Sequence, residues 1–466
     1  MLFRPSFLVA LIPLSNLPPV PGGGYSCSMK PSMDMTRRRR TALVWLLLCC
    51  GISVFWGSSI ERVSPYGLFD FRGIYYYARC LLQHSDPYKT GEPLRVYLAD
   101  GGVSSGVLPD ILSLNMYLPT SFIISVPFAM LPWGPAHIFW MAFIAGSLFL
   151  AAFLMWNLAG DSSPGISLFL ICFVLANSEI LMKSGNPAAI AVGLCVMAAW
   201  CFLEERFVPA GILFLAVSLA IKPHDSGLVW LYFLLAGGVY RKRALQTLAL
   251  TVALSLPAVL WVTSVAPHWM QELRSNLQAA SAPGGPLDLG PDSAISGSCP
   301  SMIINLQSTI SAFRNDPRFY NSVSYLVCGT LLLIGAIHTL RARISRRGAW
   351  LALAAVVPLT MLVTYHRCYD AKLLLLTVPA CAMLWAEGGP LRWIALLVNT
   401  AGIVFTSDIP LEIISVAVGN RHVATAGLSA ETLTAVLLRP TPLILLAMGI
   451  FYLWAYLRRE PERGGR

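Results

Sequence analysis

The chain alternates between long apolar runs and short polar interruptions for most of its length, and the runs are scaled to a bilayer. A hydrocarbon core of about 30 Å asks for about 20 apolar residues of helix. Thirteen runs are candidates: 41–60, 118–132, 136–158, 166–182, 187–203, 208–221, 227–239, 244–265, 322–341, 349–364, 371–386, 391–406 and 441–457. Arg37 to Arg40 precede the first, and further basic clusters lie at Arg241 to Arg243, at Arg341 to Arg347 and at Arg458 and Arg459. The preference of cytoplasmic loops for Lys and Arg then puts both termini in the cytoplasm.

Thirteen crossings cannot join two termini on the same side, so one run is expected not to cross. The segment 166–182 has Glu179 and Lys183 near its end and is read as a re-entrant or half-depth element shielded by protein. About twelve spans remain on this span-length reading. The expected fold is all-α, a polytopic transmembrane helical bundle, with the hydrophilic stretches 61–117, 266–321 and 407–440 on the non-cytoplasmic side. Residues 41–457 are expected to form one membrane domain, followed by a cytoplasmic tail at 458–466. Residues 1–40 read as a non-structural leader or a misassigned start, since Phe7 to Ile12 is too short to span and Met29, Met33 and Met35 lie just before the basic cluster.

Composition agrees with the pattern: 56% hydrophobic residues, 12% charged residues and a mean hydropathy of +0.65. A soluble domain carries about twice that share of charge. The formal net charge of +10 would point to nucleic acid in a soluble chain. Here the basic residues sit in short clusters between apolar runs, so they set topology and no nucleic-acid partner is expected. Eleven cysteines give no paired metal-binding spacing, and several lie inside apolar runs, where they pack as small hydrophobes.

Three polar groupings break the apolar pattern on the outer side. In the first loop, GLFDFRGIYYYARC (67–80) places Asp70 among aromatics, and apolar side chains from Tyr75 to Leu82 recur at helical spacing. This reads as an amphipathic helix along the membrane surface, its tyrosine-rich face at headgroup depth. Position alone also allows Asp70 to be a carboxylate favoured by the helix N-terminus, worth under about 1 kcal/mol. The second grouping is Lys222-Pro223-His224-Asp225, between the short runs 208–221 and 227–239. Fourteen residues make roughly 21 Å of helix, which sets Lys222 and His224 below the outer surface, unless the lysine snorkels. A lysine there needs an anion. The third is Thr364-Tyr365-His366-Arg367-Cys368-Tyr369-Asp370, which offers a titratable imidazole, an anion clamp and a carboxylate within one turn. The loop holding Pro283, Gly284, Gly285, Pro286, Gly290 and Pro291 is turn-rich and not expected to form regular structure alone.

The order of DFRGIYYYARCLL, DPY, YLPTSFIISVPFAMLP, SGNPAAI, AGILFLAVSLAIKP and YHRCYDAKLLL resembles glycosyltransferase family 87, long known as a domain of unknown function and including polyprenol-phosphate-mannose-dependent mannosyltransferases. The likeness runs over roughly residues 65 to 390 and departs at Gly185-Asn186, where the family more often has Gly-Gln. The resemblance implies a GT-C fold in a bacterial cytoplasmic membrane. It implies a hexosyltransferase that moves a sugar, mannose first among candidates, from a polyprenyl-phosphate donor to a lipid or glycan acceptor on the non-cytoplasmic face. The family's acidic residue maps onto Asp70, its later histidine onto His366, and its Lys-Pro step onto Lys222 and Pro223.

On that reading Asp70 is the base that takes the acceptor proton in an inverting displacement, and His366 joins it in the chemical step. Lys222, His224 and Arg367 meet the donor phosphate, because charge growing on the leaving group is best met by fixed cationic donors. Tyr75, Tyr76, Asn186, Tyr365 and Asp370 are expected to line the substrate cavity. No cofactor is implied, and a divalent metal is permitted but not demanded. The alternative class is a polytopic transporter or lipid flippase. Such proteins place charge near the bilayer midplane in repeated halves, whereas here the unusual polar groups collect at one face and no internal repeat is seen.

Overall fold

The computed structural model describes residues 68–104, 108–176, 178–290, 302–342, 345–407 and 439–458. The expectations for the leader, the run 41–60, most of 407–440 and the tail beyond 458 fall outside these residues.

The described residues are all-helical, without a named strand. Three helices follow one another in the first polar stretch: α1 (Phe69–Leu82), α2 (Glu92–Ala99) and α3 (Leu108–Ser113). A short 3₁₀ turn, Pro119–Ser121, leads into α4 (Phe122–Ala129), and the bundle continues through α5 (Trp133–Ala159), α6 (Pro164–Ala176), α7 (Glu179–Ser184), α8 (Ala188–Leu203) and α9 (Val208–Ile221). Next come α10 (Pro223–Leu235), α11 (Gly238–Val265), α12 (Trp269–Ser281), α13 (Leu306–Ile310), α14 (Pro317–Arg341) and α15 (Arg346–Val363). A ten-residue 3₁₀ segment, Cys368–Thr377, runs into α16 (Val378–Glu387), followed by α17 (Leu391–Phe405) and α18 (Thr441–Leu457).

Among the described residues six helical stretches are long and apolar enough to cross a membrane: Trp133–Ala159, Pro164–Ser184, Gly238–Val265, Pro317–Arg341, Arg346–Val363 and Cys368–Glu387. Five shorter apolar helices accompany them. The chain is thus a multi-pass helical membrane protein. The segment expected to stop at half depth is among the six by length and composition, although its helix breaks between Ala176 and Glu179.

The core and the periphery are built from different sequences. The central helix α8 is AAIAVGLCVMAAWCFL and buries fifteen of its sixteen residues. Its small side chains permit close approach between helices. A Cβ on Gly193 would meet the Ser147 backbone of α5 at 3.0 Å. By contrast α11 turns Leu245, Leu248, Val252, Leu256 and Leu260 outward at helical spacing, a stripe suited to lipid. The 3₁₀ segment buries all ten residues. Runs of that geometry longer than three or four residues are uncommon and mark strain or function.

At one end of the bundle Glu204, Glu205 and Glu387 pair with Arg346, Arg243 and Arg347. The short helix α9 leads from that end to Lys222 at the other, and α15 leads from Arg346 to Thr364. All three polar groupings therefore share the end opposite the basic clusters.

The tyrosine face of α1 is turned into the protein rather than outward. Tyr75, Tyr76 and Tyr77 are buried in the protein, the Tyr75 hydroxyl donates to the Leu131 carbonyl at 2.8 Å, and Phe71 stacks on Trp140 with centroids 4.4 Å apart. Neighbouring helices supply a drier contact for these rings than the interface does, so the aromatic face seals α1 against α4 and α5. Within the stretch 266–321, α12 and α13 flank the turn-rich run, whose described residues 282–290 form no helix. The Asn276 amide donates to the carbonyls of Tyr88 and Asn115 at 3.0 and 3.1 Å.

Candidate functional site

Asp70 lies in the first turn of α1, half-exposed, where the helix N-terminus favours its charge. Its Oδ2 accepts a hydrogen bond from Asn186 Nδ2 at 2.8 Å, across 116 positions of sequence. Asn186 is itself fixed, for its Oδ1 accepts from the Ala188 amide at 2.9 Å and so caps α8. The preceding Gly185 has φ +65°, and a Cβ there would meet Leu68 and Phe71 at 2.9 and 3.0 Å. Leu68, at φ 61°, donates from its amide to the Lys183 carbonyl at 2.7 Å. The Gly-Asn step is therefore the cradle in which the start of α1 sits, and it aims the Asp70 carboxylate.

The second and third groupings merge into one buried charge cluster. Lys222, 8% exposed, donates to Asp370 Oδ1 at 2.8 Å and stands 3.7 Å from Asp225 Oδ2. The need of Lys222 for an anion is thus met by the protein's own carboxylates. Burial opposes its charge, but Asp225 and Asp370 outweigh that and hold its pKa above the ordinary lysine value. Asp225, on the first turn of α10, is 1% exposed. Burial alone would raise its pKa, and Lys222 and the two nearby imidazoles pull it below the usual carboxylate range.

His366 Nε2 faces Asp225 Oδ1 at 3.2 Å, and the His224 and His366 rings stand 5.0 Å apart. Burial disfavours the imidazolium of His366, while Asp225 and Asp370 favour it more strongly, so its pKa lies above the usual histidine value. His366 Nδ1 lies 3.0 Å from the Thr364 carbonyl. A carbonyl can only accept, so Nδ1 carries the hydrogen and Nε2 points at the carboxylate.

Arg367 differs from Lys222. Its guanidinium donates to the Tyr365 hydroxyl and to the Pro286 carbonyl at 3.1 Å, both neutral acceptors. Its backbone amide donates to Asp370 Oδ2 at 2.8 Å. Among the described residues the Arg367 side chain forms no ion pair with a carboxylate. It is half-buried, and Asp70 acts on it electrostatically, as it does on Lys222 and Tyr365. Tyr365 also donates to Pro286 at 3.2 Å, so the turn-rich loop is held directly over this arginine.

Of the expected residues, the structure brings Lys222, His224, His366 and Asp370 together, with Arg367 and Tyr365 alongside. It joins Asp70 to Asn186 and sets that pair within electrostatic reach of the rest. Tyr75 and Tyr76 are packed into the protein rather than presented to a cavity. Asp225 is the residue that sequence reasoning passed over. Its place directly after Lys-Pro-His was the available signal, and the run 227–239 began too late to reveal it as part of a helix. A further buried cation, Lys372, donates to the Val174 carbonyl at 3.0 Å near the break between α6 and α7.

No protein-family model matches this chain, and comparison with curated proteins and with solved structures yields no match either.

Proposed function

We propose that the protein is a membrane glycosyltransferase that moves a hexose, mannose first among candidates, from a polyprenyl-phosphate donor to a lipid or glycan acceptor, with inversion. The observation that carries this reading is the pairing of Asp70, an oriented and half-exposed carboxylate, with Arg367, a half-buried cation without a carboxylate partner among the described residues. Asp70 takes the proton of the acceptor hydroxyl as that oxygen attacks C1. The bond from C1 to the phosphate oxygen breaks, and the phosphate leaves as an anion. Arg367 meets the growing charge with a rigid fork of donors, as oriented groups in a dry site do best.

An apolar cavity of about 310 Å³ supports a lipid-linked donor. It is lined by Leu228, Leu231, Tyr232 and Leu235 of α10 and by residues of α14, α15 and α18. Leu228 is one turn along the helix from Asp225, so the cavity gives an isoprenoid tail a path away from the polar cluster.

The test is transfer by purified protein in nanodiscs, with a short-chain polyprenyl-phosphate mannose and an extract of lipid acceptors. Asp70→Asn should lower turnover by about 10² to 10⁴, the range of a positioned general base, with donor affinity near normal. Arg367→Gln should weaken donor binding by about ten- to a hundredfold, since a charge-assisted contact is worth roughly 1.5–3 kcal/mol. No transfer by the parent chain from any polyprenyl-phosphate hexose would sink the reading. So would near-normal turnover of Asp70→Asn.

A further inference from the structure

The contact between His366 and Asp225 is chemically incomplete. His366 Nε2 and both carboxylate oxygens of Asp225 are buried and have no hydrogen-bond partner among the described residues. Two buried acceptors, a ring nitrogen with its lone pair outward and a carboxylate oxygen, face each other at 3.2 Å. Only a positive species between them makes that arrangement favourable, and the choices are a proton on Nε2 or a metal ion.

Three details favour the metal. His224 Nε2 stands 3.6 Å from the same Asp225 Oδ1, so three ligand atoms surround one space, all within 4.8 Å of one another. Tetrahedral zinc with bonds of about 2.0–2.1 Å puts its ligand atoms about 3.3–3.4 Å apart, and the two measured separations bracket that figure. The Nδ1 hydrogen of His366 is fixed on the Thr364 carbonyl at 3.0 Å, the device by which metal-binding histidines lock their tautomer. Lys222 opposes a dication, yet its closer bond is to Asp370, at 2.8 Å, and it faces the other oxygen of Asp225.

We infer that His224, Asp225 and His366 form a binding site for one divalent transition-metal ion of the zinc or cobalt type. Two imidazoles and one carboxylate suit those ions better than magnesium or calcium, which prefer all-oxygen ligands. His224 is exposed, which gives the ion an entry path and leaves a coordination position open on that side. The five charged side chains Asp70, Asp225, Asp370, Lys222 and Arg367 sum to one negative charge with neutral imidazoles, and a dication reverses the sign of that set. The inference rests on this geometry and stands whether or not the transferase reading holds.

The test uses the full chain without a histidine tag, in nanodiscs, stripped with a chelator and supplied with Zn²⁺ or Co²⁺ alone. Equilibrium dialysis should find one tightly held equivalent of Zn²⁺, and Co²⁺ should give the visible absorption of a low-coordinate nitrogen and oxygen site. His224→Ala, at an exposed position, should weaken binding by at least the ten- to a hundredfold that even outer partners of a metal contribute. His268→Ala, at an exposed histidine outside the trio, should change nothing. Mg²⁺ in excess should not displace the ion. Absence of a stoichiometric equivalent in the parent, or unchanged affinity in His224→Ala, overturns the proposal and leaves a proton between His366 and Asp225.

Discussion

Lys222 faces two carboxylates, and removing it should cost more than removing either of them. Lys222→Met keeps most of the apolar stem but strands Asp370, 2% exposed, and Asp225, 1% exposed. Breaking a buried pair by deleting one partner costs about 3–5 kcal/mol, which is two to nearly four powers of ten in the unfolding constant. Asp370→Asn is milder, because Lys222 keeps Asp225 at 3.7 Å and an asparagine oxygen still accepts from the Arg367 amide. Its expected cost is about 1.5–3 kcal/mol, the worth of one hydrogen bond to a charged group. In the double variant the two losses should not add, with a coupling energy of about 1 kcal/mol or more, as for groups in direct contact. The assay is unfolding by SDS in mixed micelles, followed by tryptophan fluorescence. Equal stability of Lys222→Met and the parent, or strictly additive losses in the double variant, would refute the pairing as a source of stability.

Two further outcomes follow from local geometry and burial. Gly185→Ala should destabilise the chain by about 2–5 kcal/mol, since a left-handed residue with a Cβ costs about 1–2 kcal/mol and overpacking adds about 1–3 kcal/mol; thermal unfolding measures it, and a loss under about 0.5 kcal/mol would show that the loop relaxes freely. Glu272, on α12, has its pKa pushed up to about 7, first by burial and then by the neighbouring Asp86 carboxylate. The folded state therefore holds a proton that the unfolded chain releases at lower pH, so stability should fall as pH rises from the ordinary glutamate range to about 7 and then level off. Glu272→Gln should remove that slope in a melting series across pH; a slope that survives the substitution places its origin elsewhere.

The all-helical membrane class and the end at which the unusual polar residues collect were legible from the chain alone, because both are local properties. Apolar runs of span length, broken by Lys222-Pro223-His224 and by Tyr365-His366-Arg367, mark where helices stop and where charge cannot be left unpaired. The register of those breaks along the chain places them at the end opposite Arg241 to Arg243, and the structure agrees. Which face of each span turns inward was not legible. In a bilayer the lipid side and the core side of a helix are both apolar, so an apolar run does not tell which of them it faces: α8 is buried almost throughout and α11 is nearly bare. The same blindness hid the burial of Tyr75 and Tyr76, whose spacing suits an interface as well as a helix packing surface.

Partnerships belong to the tertiary structure alone. Asp70 meets Asn186 across 116 positions and Lys222 meets Asp370 across 148, and no local pattern records such a distance. The sequence required that a buried lysine have an anion, since an isolated charge in a dry bundle is too costly to keep. Only the meeting of the Lys222–Asp225 turn with the stretch from His366 to Asp370 decided that the anion is supplied by the protein itself, that Asp225 is drawn into the cluster, and that Arg367 is the cation left facing neutral partners.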